Sequence, residues 1–344
     1  MSGNGQRSDH GNTEERLRCR LTSRWLIKRL GFAFIVLCAA LVINFAIPRV
    51  MPGDPVDLLT SGIKLGSGAR EALIQRFGLD QSLWQQFVKY LMNSFRGDFG
   101  VSFSYYPRSV MYVVTEVLPR SLLILSVSWI LQFLIGCFLG ITAAWKVGTK
   151  TDSTLQTVSL TIWSTPLFWM AMIFLYIFAF QLGWFPLSGY QTAGATYSNM
   201  LESVADVAKH AILPIMALTV NWYASYQLIM RNTMVTVLNE PYILTAGAKG
   251  LSEGAVKYKH AARNALLPVI TFSSLSFFAI AVGQSIFVET VFSYPGIGKL
   301  IFDSVVTRDY PVLQGCLLMF SVLIIATNLF VDILYTRFDP RVRY

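Results

Sequence analysis

Six stretches of this chain are too apolar and too long for a soluble fold. A segment that crosses the roughly 30 Å of bilayer hydrocarbon needs about 20 mostly apolar residues. Runs of that kind lie at 30–47, 122–145, 160–180, 212–229, 267–288 and 313–335. The first and fourth are short, and the fourth is the most polar. A length of 344 residues would also suit two soluble domains. Composition excludes that: 54% of residues are hydrophobic and 14% charged, against about 25% charged in a soluble domain. The expected fold class is an all-α membrane protein of about six transmembrane helices.

The net charge of +9 does not point to nucleic acid, because the positive residues sort by topology. Sixteen Lys and Arg residues flank one side of the runs, at 16–29, 146–150, 231–263 and 337–343. The other side holds eleven, but eight of these lie in the long segment 49–120. Long translocated segments hardly count in the positive-inside rule. Both termini are therefore expected in the cytoplasm. The first run lies behind a long polar stretch, and no A-x-A site follows it, so it reads as a retained span. The expected organisation is a polar tail at 1–24, irregular over its first twelve residues; a first helix at 25–50; and an extracytoplasmic segment at 51–117. A helical core follows at 118–336, with a cytoplasmic loop at 240–268, and then a cytoplasmic end at 337–344.

The outer segment opens with Pro52-Gly53-Asp54-Pro55, a rigid turn. Two short helices should follow, the first ended by Gly78 and the second N-capped by Asp80. Trp84, Phe87, Tyr90 or Leu91, and Ser94 then share one face, and Gly97-Asp98-Phe99-Gly100 breaks the helix. The segment reads either as a cap on the outer surface or as an amphipathic helix lying in the interface. In the second run, Gly136 and Gly140 form a small-xxx-small pair that lets another helix come close. The four cysteines, Cys19, Cys38, Cys137 and Cys316, show no C-x-x-C spacing and read as small hydrophobes.

Polar residues inside the runs are few: Gln132, Asn221, Gln227, Gln284, Asn328 and Asp332. Such groups face a bundle interior or a water-filled path. Gln132, Asn221, Gln227 and Gln284 are candidates for lining a solute path, with hydrogen bonding between helices as the rival role. Asp332 is expected to meet a basic residue near the inner end of its run.

Catalytic patterns are missing. The three histidines, His10, His210 and His260, form no H-E-x-x-H, no Cys/His cluster has metal spacing, and no G-x-S-x-G appears. Gly296-Ile297-Gly298-Lys299 resembles the end of a phosphate loop, but it lacks the upstream glycine, and Leu300 replaces the Ser/Thr. The chain shows no means of hydrolysing ATP. No cofactor and no metal is expected on it.

The loop 240–268 has the punctuation of a hairpin. Pro241 suits a first helical turn, and Gly250 suits the left-handed position that ends that helix. Ser252 can cap a second helix, with Glu253 in its first turn. Lys257, Lys259 and Arg263 sit toward its end, and Pro268 starts the fifth run. Ala246, Gly247, Ala248 and Gly250 surround the turn, and their small side chains let another backbone approach. A rigid hairpin joined to a span can pass a push into the membrane. A basic face turned to anionic lipid is the rival reading, and on the residues alone the two stand level.

These residues carry a resemblance. Thr245-Ala246-Gly247-Ala248-Lys249-Gly250-Leu251-Ser252, followed by His260-Ala261-Ala262-Arg263-Asn264-Ala265-Leu266-Leu267-Pro268, resembles the cytoplasmic signature of prokaryotic ABC-importer permeases. The likeness is to the dipeptide, oligopeptide and nickel type, and to its first, or B, kind of permease. Further matches run along the chain: Pro52–Pro55, Phe77-Gly78-Leu79-Asp80, Gly97–Ser102, Leu118-Pro119-Arg120-Ser121, Phe292–Gly298, Arg308-Asp309-Tyr310-Pro311 and Asp339-Pro340-Arg341. The general pattern opens Glu-Ala-Ala, whereas Leu244-Thr245-Ala246 stands here, as is usual for the peptide type. The polar tail before Arg16 is longer than the family needs.

The resemblance implies a type I ABC-importer permease fold in a prokaryotic inner membrane. Its partners would be a second, homologous permease subunit, two ATPase subunits carrying ATP and Mg, an extracytoplasmic solute-binding protein and membrane lipid. It implies ATPase coupling through Thr245, Ala246, Gly247, Ala248, Lys249, Gly250, Leu251, Ser252, Glu253 and Tyr258. Short peptides are the implied cargo; nickel chelates, glutathione or oligosaccharides are alternatives within the family. A channel or secondary transporter acting alone would instead call for paired intramembrane charges or unwound half-helices, and neither stands out.

Overall fold

A computed structural model of the chain describes residues 8–50, 68, 71, 74 and 80–338. Among them every regular element is a helix, and the only extended pairing is a bridge between Val101 and Ser109. The reason is physical: a backbone inside lipid must satisfy its own N–H and C=O groups, and a helix does so within one segment. The structure divides into two units, Met1–Pro52 with Leu317–Tyr344, and Gly53–Cys316.

In the first unit, helix α1 covers Ser8–Val50, and its apolar part is Ile27–Ile47. The expected irregular tail is thus helical from Ser8. Glu14, Glu15, Arg16, Leu17 and Arg18 are strong helix formers, and a spanning helix removes the cost of nucleating a new turn. The second unit contains α2 (Leu83–Phe95), α3 (Val110–Trp145) and α4 (Lys150–Trp163). It continues with α5 (Leu167–Phe174, prolonged by a π-helical turn to Gln181), α6 (Met200–Leu238), α7 (Pro241–Ala248), α8 (Arg263–Val291) and α9 (Ile297–Val306). Helix α10 (Tyr310–Phe338) starts in this unit and ends in the other.

Among the described residues three helices, α1, α3 and α6, are long and apolar enough to cross a membrane, and α4 with α5 makes a fourth if the pair is one span. The apolar run expected at 160–180 is bent: α4 and α5 meet at 96°. Pro166 is the cause. It offers no N–H, and it pushes Thr165 away from helical geometry. Ser164 N still bonds Leu160 O at 2.9 Å, Thr165 N tightens onto Ile162 O at 3.1 Å, and the next helix restarts with Met170 N on Pro166 O.

Helix α2 forms where expected, but Ser82 caps it rather than Asp80. Ser82 Oγ accepts from Gln85 N, and Gln85 Oε1 accepts from Ser82 N, a reciprocal capping box. Gly97 and Gly100 have positive φ and end the segment. Pro52–Pro55 and Gly78 lie outside the described residues.

The glycine pair of α3 finds its partner in α6. A Cβ on Gly140 would sit 2.7 Å from Gln227 O and from Met230 Cβ, and one on Gly136 would sit 2.6 Å from Tyr223 O. The two backbones therefore approach as only glycine allows. Apolar side chains fill two clusters. At one end Ile124, Leu125, Leu167, Leu213, Leu218, Val288 and Tyr294 pack together. At the other end Cys137, Ala144, Tyr226, Met230 and Met234 pack with residues of the 240–268 loop.

Candidate functional site

The 240–268 loop folds as its punctuation dictates. Pro241 opens α7 in the first turn. At the other end Gly250 takes φ +75°. Its N–H bonds Gly247 O at 2.9 Å, while Leu251 N bonds Ala246 O at 3.4 Å. That pair is a Schellman ending. Nothing lies within 4 Å of where a Gly250 Cβ would be, so backbone angle, not crowding, calls for glycine. Ser252 Oγ accepts from Ala255 N at 3.4 Å, and Ser252 O accepts from Val256 N at 3.0 Å. A π-helical stretch, Ala255–Ala262, then runs straight into α8.

The hairpin has an inner and an outer side. Ile243, Ala246, Val256, Ala261 and Ala262 are buried against α3 and α6. Thr245, Gly247, Ala248, Lys249, Gly250, Ser252 and Glu253 are exposed. Among them stand large apolar side chains: Leu244 at 70% exposed, Leu251 at 42% and Tyr258 at 52%. Of the ten residues singled out in sequence, then, nine face outward, and Ala246 holds the hairpin to the core. Side chains brace it from behind. Asn264 Nδ2 donates to Tyr242 OH at 2.8 Å, closing the hairpin on itself. Thr233 Oγ1 donates to Ala265 O at 3.1 Å, tying α6 to α8. Lys257 Nζ lies 4.9 Å from the Tyr258 ring and 5.9 Å from that of Trp145.

The intramembrane amides are placed differently. Gln132 and Gln227, at 2% and 0% exposed, are sealed inside the bundle, and Asn221 is buried too. Gln132 Nε2 donates to Leu218 O at 3.2 Å, joining α3 to α6. Asn221 Nδ2 donates to Thr165 O at 3.0 Å, at the break between α4 and α5. Gln227 Nε2 donates to Leu155 O at 3.2 Å, and its Oε1 accepts from Ser159. These three amides bond helices together within this chain. Gln284 is half-buried, and its Oε1 has no partner among the described residues. Asn328 is exposed, and the Asp332 side chain lies outside the described residues.

A two-pronged ion pair has no motif signature in the sequence. Arg231, seven residues before the end of α6, grips buried Asp152 of α4 in a two-pronged bond, Nε to Oδ1 and Nη2 to Oδ2, both 2.7 Å. Gly148 N and Gln156 Nε2 fill the remaining acceptor sites of that carboxylate. The two residues are 79 positions apart, and only an acid beside an otherwise basic turn hinted at the pair. At the opposite end of the unit, separate sequence motifs converge on two buried carboxylates. Glu289 accepts from Ser121 Oγ at 2.7 Å and from Lys299 N at 3.0 Å, and Ser121 Oγ accepts from Ile297 N at 2.7 Å. A Cβ on Gly296 would collide with Ser121 Oγ and Glu289 Oε2, which fixes glycine there. Asp309 accepts from Ser102 Oγ at 2.5 Å and from Ser104 N at 2.9 Å. The motif pieces at 97–102, 118–121, 292–298 and 308–311 are thus contacts of one fold. Among the described residues no group of His, Cys, Asp and Glu could hold a metal ion.

Comparison with known proteins agrees with this picture. The profile described as "Binding-protein-dependent transport system inner membrane component" matches residues 136–344, and its N-terminal companion matches residues 22–125. The chain is 35% identical over 320 residues to the oligopeptide transport system permease protein AppB of Bacillus subtilis, covering 93% of this chain and 99% of the relative. It is 33% identical over 333 residues to the di/tripeptide transport system permease protein DppB of Pseudomonas aeruginosa, covering 93% and 98%.

Proposed function

Since the chain belongs to the family of binding-protein-dependent transport system inner membrane components, we propose that it is the permease subunit of an ATP-driven peptide importer and is driven through its 240–268 hairpin. The names of its relatives, oligopeptide and di/tripeptide permease proteins, support the cargo class. In this reading six helices span the inner membrane, with α8 and α10 as the fifth and sixth. Both termini and the hairpin lie in the cytoplasm, and the 51–117 segment lies outside. A homologous second permease completes the translocation path. Two ATPase subunits bind ATP and Mg, and an extracytoplasmic binding protein delivers cargo.

One observation carries the coupling role: the hairpin is exposed at its tip and fastened at its base. Leu244, Leu251 and Tyr258 offer apolar area to a partner, while Ile243, Ala246 and Val256 sit in the same cluster as Met230 of α6 and Cys137 of α3. A force on the tip therefore reaches two long helices without passing through a flexible linker. Alternating access then becomes a shift between two packings of the bundle, biased by the ATPases. Gentle purification of the tagged chain from native membranes tests the assignment. ATPase chains and a second permease should co-purify in fixed ratio. A chain that purifies alone and catalyses solute flux without ATP would overturn it.

A further inference from the structure

Helix α4 is attached to the bundle in an unusual way. Its only two buried residues are Asp152 and Ser159, both polar. Asp152 bonds Arg231, Leu155 O and Ser159 bond Gln227, and Thr165 O just beyond the helix bonds Asn221. Helix α4 thus runs along α6 from Arg231 to Asn221, ten residues or about 15 Å of helix, and ends there. Asn221 lies in the middle of the apolar run 212–229. The break at Ser164, Thr165 and Pro166 is therefore level with the centre of the membrane-crossing part of α6.

The exposed side of α4 carries a strip of hydroxyls between exposed Val158 and Leu160. Thr154, Thr157, Thr161 and Ser164 follow one another at three- and four-residue steps, which sets them on one face, and all four are exposed. Thr161 and Ser164 donate their hydroxyl protons back into the helix, to Thr157 O at 2.8 Å and Thr161 O at 2.9 Å. Oxygen lone pairs are left facing outward. At the end of this face the chain stops being helical while Ser164 and Pro166 remain exposed. Irregular backbone does not face lipid within the hydrocarbon; at that depth it is buried in protein or lines a water-filled cavity. Helix α3 gives the contrast: its exposed side carries Val127, Ile130, Leu134 and Phe138, which suit lipid.

We infer that the exposed hydroxyl face of α4 and the α4–α5 break form this subunit's wall of the solute path. The wall takes the main-chain amides of a peptide: hydroxyl oxygens accept N–H groups, and no charged side chain stands on the face beyond Lys150 to select among cargo side chains. Trp163 and Trp169, at 49% and 52% exposed, flank the break and offer flat apolar contact. The sequence does not show this break, and it is the kind of discontinuous helix with which secondary transporters meet their cargo near the midplane; here it offers exposed backbone to a path in the same way. The inference rests on the importer reading above.

The test uses the assembled transporter with Cys19, Cys38, Cys137 and Cys316 replaced. Single cysteines are introduced as Thr157→Cys and Thr161→Cys, with Ile130→Cys and Leu134→Cys as lipid-side controls. A charged, membrane-impermeant thiol reagent reacts with thiolate, which needs water. The path positions should label, the controls should not, and the labelling rate should change when a non-hydrolysable ATP analogue is added. Path positions that label no faster than the controls, in a complex that still transports, overturn the inference and leave the importer reading standing. Labelling of the path positions that ignores nucleotide upholds the water-facing wall and counts against the ATP-driven reading instead.

Discussion

Helix α6 is held on two sides by opposite means. Toward α3 the seam is made of absence: Gly136 and Gly140 carry no side chain, and the α6 backbone with the Cβ atoms of Tyr226 and Met230 fills the space. Toward α4 the seam is made of charge and hydrogen bonds: Arg231, Gln227 and Asn221 each reach across to a named partner. The first seam admits one register, because close packing has no alternative fit. The second is directional but separable, since each contact is a discrete bond that another donor or water can replace. The proposed coupling through the hairpin would use both kinds of seam, one to carry a push and one to let a neighbour change contacts. Two residues separate helix α6 from the hairpin helix α7, so under the proposed coupling the two seams set which neighbours follow the hairpin.

The comparison can be broken at its strongest bond. Arg231→Met leaves the Asp152 carboxylate buried without its cation and should destabilise the fold by about 3–5 kcal/mol, read as loss of thermal stability in detergent. Adding Asp152→Leu removes the stranded charge, so the double variant should recover most of the loss. A double variant as unstable as the single would show that the pair does more than neutralise itself. On the other seam, Gly140→Ala places a Cβ within 2.7 Å of Gln227 O and should cost about 1–3 kcal/mol. Removing the α6 side-chain obstacle with Met230→Gly should not rescue it, because Gln227 O stays in the way. The smallest effect belongs to Asn221→Ala, which frees the Thr165 carbonyl at the break. It should cost about 1 kcal/mol of stability but alter transport more than stability, since the break is where the path is placed. Normal uptake with lowered stability would leave Asn221 a structural bond alone.

How far sequence could see differed between the same two seams. The glycine pair was visible because its spacing is local, four residues on one helix, and the hairpin was visible because Pro241, Gly250 and Ser252 each force a particular backbone geometry. The polar seam was hidden. Asp152 and Arg231 meet only through the fold, and hydropathy averaged over 160–180 passed over Pro166, which broke the helix. The amides Gln132, Asn221 and Gln227 were recognised as unusual, but whether such a group faces a path or a neighbouring helix depends on rotation of the helix about its axis. The motifs at 118–121 and 292–298 are legible in the sequence as likeness only. Their physical reason, a buried carboxylate at Glu289 held by Ser121 and backbone N–H groups, needed the third dimension.

The central claim is that the exposed tip of the hairpin drives the bundle. Leu251→Asp puts a charge on the apolar part of that tip, and Gly250→Trp forces a side chain into φ +75°. Neither residue packs into the core, so both variants should insert; Leu251→Asp should keep the thermal stability of the parent, and Gly250→Trp should lose about 1–2 kcal/mol to its left-handed backbone. ATP-dependent peptide uptake into membrane vesicles containing the full complex is the direct measurement. The account predicts that uptake is abolished in both variants while the subunit remains in the membrane. Uptake at the parental rate, with ATPase subunits assembled as before, would contradict it.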